Sequence, residues 1–258
     1  MTITEVKDCF NILFFIVVGT VTILSYSQAK KSLFSPIRTE TFKLQLQSFE
    51  KILLYFQNNS DSDFDKKFDL NNILQLNNLK MLDEYIQIFF GEKGDEKARE
   101  KIFGQFVGGI VSQEKMHKLF LHVPLNNSDF KTADEPLVNK ENWLNYECIM
   151  VQFTKKYSDE LKELRNLSAS PLLPQSVRDA LKDFEQTVHF NLQLVREIVE
   201  DVAKGLPIES PILNDIKNLN PSGVWNIYNN KKKSMEEKAN TVLKTINSYL
   251  NVDNLLKQ

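Results

Sequence analysis

This chain of 258 residues has few cysteines, few glycines and no excess of basic charge. It has two cysteines, Cys9 and Cys148, whereas a small secreted domain held by disulfides uses more. Eight glycines are few for this length, which disfavours a β-rich fold with many tight turns. A formal net charge of -2 provides no basic excess, so we expect no nucleic-acid partner.

The sequence also lacks the short motifs that carry common chemistry. It contains no GxxxxGK[ST] phosphate loop and no GxSxG motif of serine hydrolases. His117 and His122 are five residues apart, which places them on different faces of a helix and disfavours a shared metal ion. We therefore predict no metal, no cofactor, no catalytic residue and no small-molecule ligand, while enzymatic activity stays open.

Charge is absent from one long stretch near the N-terminus. Cys9 to Ala29 holds 21 residues without a charged side chain. As a helix this stretch is about 31 Å long, close to the hydrocarbon thickness of a bilayer. We predict a transmembrane anchor. Its membrane-facing residues are Phe10, Leu13, Phe14, Phe15, Ile16, Val17, Val18, Val21, Ile23, Leu24 and Tyr26.

Two alternatives to an uncleaved span stay open. A signal peptide needs a basic leading segment, and MTITEVKD has one lysine against two acids, although Ser25-Tyr26-Ser27 has the small residues of a cleavage site. A core helix of a soluble domain would have its polar residues on one face. The polar residues 11, 20, 22 and 25 do not form such a stripe.

Basic residues predict the orientation of the span. Lys30, Lys31 and Arg38 follow it, whereas a single lysine precedes it. Because cytoplasmic flanks carry more Lys and Arg, we expect the N-terminus outside and the C-terminal domain in the cytoplasm. The same three residues are the predicted contacts with lipid headgroups.

Periodic apolar residues predict an all-α fold for the rest of the chain. We divide the chain into an anchor at 1–31 and an α-helical cytosolic domain at 32–258, with irregular segments at about 119–139 and 206–230. Helices are expected from Ser35-Pro36 to residue 57, at about 70–90, from about 95, and at about 140–167, 174–204 and 232–250. The fourth and fifth form a long antiparallel pair in a multi-helix bundle.

Two further patterns carry interpretations. Glycines in GQFVGG, 104–109, are interpreted as a close contact between helices. The long helices carry an apolar stripe that could bind a partner or a second copy of the chain. Its residues are Trp143, Met150, Phe153, Tyr157, Phe184, Val188, Leu192 and Val195.

The segment SLFSPIRTETFKLQ, Ser32 to Gln45, gives a resemblance to a protein group. It is similar to the juxtamembrane stretch of bacterial single-span membrane proteins of uncharacterised function. The resemblance implies an N-terminal anchor followed by a helical cytosolic domain. It implies no activity and no catalytic residue.

These patterns favour a membrane-anchored interaction or accessory protein. We expect it at the cytoplasmic face of a bacterial inner membrane, bound to the lipid bilayer and to a protein partner or itself. A role in stress or phage-defence signalling is compatible with this. The alternatives are an enzyme with an acidic site near Glu197–Asp201 and an exported helical domain released by signal-peptide cleavage.

Overall fold

The structure, a computed structural model, describes the backbone of residues 3–111, 140–219 and 222–250, and their side chains except those of 3–13, 31–38, 217 and 222. Within these residues it has nine α-helices, one 3-10 helix (η1) and two strands. They are α1 Ile3–Phe56, α2 Asp61–Lys67, α3 Leu70–Phe90, α4 Glu96–Phe103, β1 Phe106–Val111, η1 Trp143–Asn145, β2 Met150–Thr154, α5 Lys155–Ser168, α6 Gln175–Glu209, α7 Leu213–Lys217, α8 Ser222–Lys231 and α9 Met235–Leu250. The prediction of a helical bundle is confirmed.

The chain forms two compact units. The first comprises residues 1–54 and 170–173, and the second comprises 55–169 and 174–258. The boundary that the sequence analysis placed between residues 31 and 32 lies inside α1, whose helical backbone continues through it. The predicted helix start at Ser35-Pro36 is therefore wrong, because the backbone before it is already helical.

In the first unit, the connecting segment 170–173 is bound to α1 by polar contacts. The side-chain amide of Gln45 donates to the carbonyl of Leu172 at 2.8 Å. The hydroxyls of Ser48 and Ser170 lie 3.3 Å apart. These contacts occupy polar backbone and side-chain groups of a loop that has no regular structure of its own.

The second unit is built around α6. Thirteen residues of this helix are buried, and it packs against α3, α5, α8, α9, β2 and η1. At its centre the ring of Phe184 lies 4.8 Å from that of Phe56 and 5.1 Å from that of Phe64. Aromatic pairs in such edge-to-face geometry add to the free energy gained from removing their surface from water.

The C-terminal part of α6 continues past two residues that usually end helices. The sequence predicts an end near Gly205, yet the helix runs to Glu209 with Pro207 inside. Proline has no N–H to donate to the carbonyl four residues earlier, which is that of Ala203. The indole N–H of Trp143 donates to that carbonyl at 2.7 Å, and both residues are fully buried. A side chain from η1 thus replaces the hydrogen bond that Pro207 cannot make.

A two-stranded antiparallel sheet replaces part of a predicted helix. The predicted continuous helix at 140–167 is wrong over its first half, where η1 and β2 lie, and only α5 is helical there. β2 pairs with β1 through registers such as Ile110 opposite Val151. On the other side, the amide of Asn77 in α3 donates to the carbonyl of Gln152 and accepts from its N–H, at 2.8 and 3.0 Å. The backbone of β2 is therefore satisfied on both edges at this point.

The glycines at 108 and 109 lie in β1 and contact side chains of β2. A Cβ atom on Gly108 would lie 2.6 Å from the ring of Phe153, and one on Gly109 would lie 2.4 Å from the side chain of Met150. Their interpretation as a helix–helix contact is wrong, because the absent side chains make room for residues across a strand pair.

The other segments for which the sequence predicts a helix or an irregular conformation agree with the structure to different degrees. The helix at 70–90 is confirmed and ends at Gly91, whose positive φ of 69° suits glycine. The segment between the first two predicted helices contains α2, where Ser60 and Asp63 form a capping box. The segment 206–230 is mostly helical, since it includes the end of α6, α7 and most of α8. The predicted irregular segment at 119–139 lies outside the described residues.

The hydrogen bond from Trp143 to Ala203 can be tested with a double-mutant cycle. We expect Trp143→Phe to destabilise the protein both by the volume lost and by leaving the Ala203 carbonyl without its donor. In a Pro207→Ala background the backbone N–H of residue 207 supplies a donor. The destabilisation by Trp143→Phe should then be smaller by about 1 kcal/mol, measured by urea denaturation. Equal destabilisation in the two backgrounds would contradict the proposed replacement.

Candidate functional site

The most prominent surface feature of the first unit is an exposed apolar stretch of α1. All residues from 14 to 30 are exposed, including Phe15 at 72% and Ile23 at 70%. Nine of the eleven predicted anchor residues lie here; Phe10 and Leu13 lie outside the described side chains. The exposed nine are Phe14, Phe15, Ile16, Val17, Val18, Val21, Ile23, Leu24 and Tyr26. Contiguous apolar surface of this kind marks a site of contact with lipid or protein.

Two threonines within this stretch bond to the backbone of their own helix. The hydroxyl of Thr20 donates to the carbonyl of Ile16 at 2.7 Å, and that of Thr22 donates to Val18 at 2.8 Å. Each threonine thereby satisfies its donor without water.

Two observations bear on the predicted membrane span. Among the described residues, no helix has both the length and the hydropathy needed to cross a membrane. The predicted span begins at Cys9, and its residues 9–13 lie outside the described side chains. Among the three basic residues that follow the span, Lys30 is exposed, whereas Lys31 and Arg38 are not among the described side chains.

The predicted interaction stripe lies mostly in the core of the second unit. Met150 is 36% exposed and Phe153 is half-buried. The other six residues are no more than 1% exposed, because their helices and η1 use these faces to pack around α6. They are Trp143, Tyr157, Phe184, Val188, Leu192 and Val195.

The acidic residues considered for an enzymatic site face separate partners. Glu197 is exposed. A carboxylate oxygen of Glu200 accepts a hydrogen bond from the backbone N–H of Cys148 at 2.9 Å, and Asp201 pairs with Lys231 at 3.2 Å.

The basic run at 231–233 makes contacts within the fold. Besides the Lys231 pair, Lys232 forms a short ion pair with the buried Asp65. The ammonium of Lys233 lies 4.0 Å from the ring centre of Phe190. These lysines connect α8 and the segment before α9 to α2 and α6.

A cavity of about 530 Å³ lies between α3 and the chain from Tyr146 to Met150. Its walls combine apolar side chains with a few charged and amide groups. Lys80, Glu84 and Gln87 line it from α3 at helical spacings of four and three, and Val111 lines it from β1. Small-molecule sites usually have this size and this mixture of groups.

Glu84 is the half-buried carboxylate of this cavity. Burial raises the pKa of Glu84 most, and the negative charge of Asp83 raises it further. A hydrogen bond from the Tyr146 hydroxyl and the positive charge of Lys80 lower it in part. The Tyr146 oxygen lies 3.0 Å from Glu84 Oε2. Burial and the adjacent Glu84 also raise the pKa of the Tyr146 phenol. The tyrosine therefore stays protonated and acts as the donor.

The metal-ligating side chains of the described residues do not assemble into a site. No group of three or more His, Cys, Asp or Glu there is arranged to hold a metal ion. His189 lies 3.2 Å from the Tyr157 hydroxyl and 3.5 Å from Glu185, in a contact between α5 and α6. His117 and His122 lie outside the described residues.

Sequence reasoning missed the cavity. One signal was present, since Lys80, Glu84 and Gln87 share one face of a helix. That signal alone is typical of a solvated helix face. Only the sheet and η1, which the sequence analysis did not predict, convert this face into a wall.

Comparison of the chain with protein-family models, with curated proteins and with solved structures finds no match.

The raised pKa of Glu84 predicts a pH-dependent stability. A carboxyl that is easier to protonate when folded binds more protons in the folded state, so stability falls as pH rises from the ordinary value of 4.5 through the folded pKa. We expect Glu84→Gln to reduce this fall, since glutamine retains an acceptor for Tyr146 without the charge. Urea denaturation at pH 4 to 8 checks this, with the exposed Glu96→Gln as control. An unchanged slope in Glu84→Gln would contradict the assignment.

Proposed function

We propose that the chain is a membrane-anchored helical protein, in which the apolar stretch of α1 inserts into a lipid bilayer and the second unit acts as an interaction or accessory domain. The observation that carries the proposal is the exposure of nine large apolar side chains between residues 14 and 26. Burying each such side chain stabilises by roughly 1.5–3 kcal/mol. Lipid can supply that burial on all sides of a helix.

Three features support a bilayer over a protein groove as the cover. The stretch from Cys9 to Ala29 has no charged residue on any face, whereas a helix that docks in a groove keeps a polar side. Thr20 and Thr22 bond to their own backbone, as hydroxyls in membrane helices do. Lys30 follows the apolar stretch, where basic side chains reach lipid headgroups.

The orientation and location follow from the same flank. Lys30, Lys31 and Arg38 on its C-terminal side favour a cytoplasmic second unit at a bacterial inner membrane. The partner would be another protein or a second copy of the chain. The buried stripe around α6 offers little surface for this, so binding would use exposed residues such as Ile208 and Ile212.

Charged substitutions in α1 test membrane insertion. We expect Val17→Asp with Val21→Asp to abolish co-flotation with vesicles of phosphatidylethanolamine and phosphatidylglycerol. Each charge near the centre of a span costs about 2.5–3.5 kcal/mol, so partitioning should fall by at least about 100-fold. The control pair Ile208→Asp with Ile212→Asp changes apolar residues of the second unit that are at least as exposed, and this variant should float as the unmodified chain does. Flotation of the Val17/Val21 variant would contradict insertion.

Reporter fusions test the orientation. Alkaline phosphatase at the C-terminus should be inactive in a bacterial host, and green fluorescent protein at the same position should fluoresce, because the former folds only after export and the latter only in the cytoplasm. An active phosphatase would contradict the cytoplasmic location. N-terminal sequencing of the mature chain tests the alternative of an exported domain, because a start near Gln28 would show that the signal peptide is cleaved.

A further inference from the structure

We propose that the cavity between α3 and the Tyr146–Met150 chain binds an uncharged, largely apolar small molecule, which its apolar walls hold. The volume of about 530 Å³ is sufficient for a ligand of about a dozen heavy atoms. All the lining residues belong to the second unit, so the site does not depend on how the first unit meets a membrane.

The charged side chains of the cavity wall favour neither sign of ligand charge. Lys80 and Glu84 act on each other, since burial raises the pKa of Glu84 and the positive charge of Lys80 lowers it in part. Glu147 is exposed, and it has an interaction of its own within the chain. A cationic ligand would be repelled by Lys80 and an anionic ligand by Glu84. Because either would also lose hydration on entering, an uncharged ligand is favoured.

The uncharged polar groups of the wall already form hydrogen bonds within the chain. The side-chain amide of Asn77 both donates to and accepts from the backbone of Gln152, at 2.8 and 3.0 Å. The amide of Gln87 donates to a carboxylate oxygen of Asp83 at 2.7 Å. The phenol of Tyr146 donates to the cavity carboxylate at 3.0 Å. A ligand with many hydrogen-bonding groups would compete with these bonds, whereas an apolar ligand leaves them intact.

The remaining wall residues supply apolar contact. They are Met81, Ile88, Val111, Ile149 and Met150. Methionine side chains are flexible and polarisable, so they adapt to the shape of a ligand and contact aromatic rings favourably. The free energy of binding would then come from the apolar surface that the ligand and these side chains remove from water.

The methionine methyl groups provide a local readout for a binding experiment. Of the five methionines in the chain, Met81 and Met150 line the cavity, and Met235 is buried at the start of α9. The full chain, labelled with ¹³C at these methyls and held in phosphatidylcholine nanodiscs, is titrated at pH 7 with benzyl alcohol, benzylamine and benzoate. The three probes share one aromatic ring and are neutral, cationic and anionic. Dissociation constants refer to the probe concentration measured free in the buffer, because benzyl alcohol also enters lipid.

We expect benzyl alcohol to shift the Met81 and Met150 resonances in a saturable manner and to leave Met235 unchanged. Its dissociation constant should be lower than those of benzylamine and benzoate by at least about tenfold, because each charged probe loses hydration on entering the cavity. This ranking is measured on the unmodified chain, so it does not depend on the folding of a variant. Equal or tighter binding of either charged probe, or no saturable shift with benzyl alcohol, would overturn the proposal.

Two matched substitutions test whether the cavity is the binding site. Ile88→Trp adds volume at the cavity wall and should weaken the binding of benzyl alcohol by at least about tenfold. Ile208→Trp makes the same change at an exposed position that does not line the cavity, and it should leave binding unaltered. A Met235 resonance at its unmodified position shows that each variant is folded. Equal binding by the two variants would overturn the assignment of the site.

Discussion

The structure of the second unit depends on the removal of one helix face from water. Helix α6 carries buried residues along its whole length, and six other elements pack against it. Its continuity to Glu209 requires a donor for the carbonyl of Ala203, since Pro207 has none. Trp143 supplies that donor and also packs its ring 5.1 Å from that of Tyr85 in α3. One indole therefore joins α6, α3 and the chain that leads into β2, and so fixes one wall of the cavity.

The parts of this fold that the sequence predicts are those whose determinants lie close together along the chain. Helix α3 has an apolar face and a glycine at its end, and both signals are local. Strand β2 could not be predicted in the same way, because Met150, Phe153 and Tyr157 fit a helical spacing as well as a strand that passes into a helix. Its strand conformation depends on β1 and on Asn77, about 40 and 75 residues earlier in the chain. Propensity and periodicity carry no information about such distant partners.

The two candidate sites also differ in whether their determinants lie close together along the chain. The apolar stretch of α1 is visible in the sequence as an absence of charge from Cys9 to Ala29, and the exposure of Phe14 to Tyr26 agrees with that pattern. The cavity is lined by α3, the end of β1 and the chain before β2, so no single segment of the sequence predicts it. Burial in the folded chain raises the pKa of Glu84, although the hydrogen bond from Tyr146 lowers it in part. The properties of the cavity thus depend on the burial of its residues, whereas the stretch of α1 is defined by the exposure of its residues.

The central claim is that a bilayer covers the exposed stretch of α1. Hydrogen–deuterium exchange of the full chain, with and without phospholipid vesicles, measures that cover directly at the backbone. The account predicts that amides of residues 14–30 exchange at least about 100-fold more slowly with vesicles, because water is excluded there, whereas amides of α6 are equally protected in both conditions. Unchanged exchange of residues 14–30 on adding vesicles would contradict the account. Protection that rises with protein concentration and ignores lipid would do so as well, and would assign the stretch to a second copy of the chain.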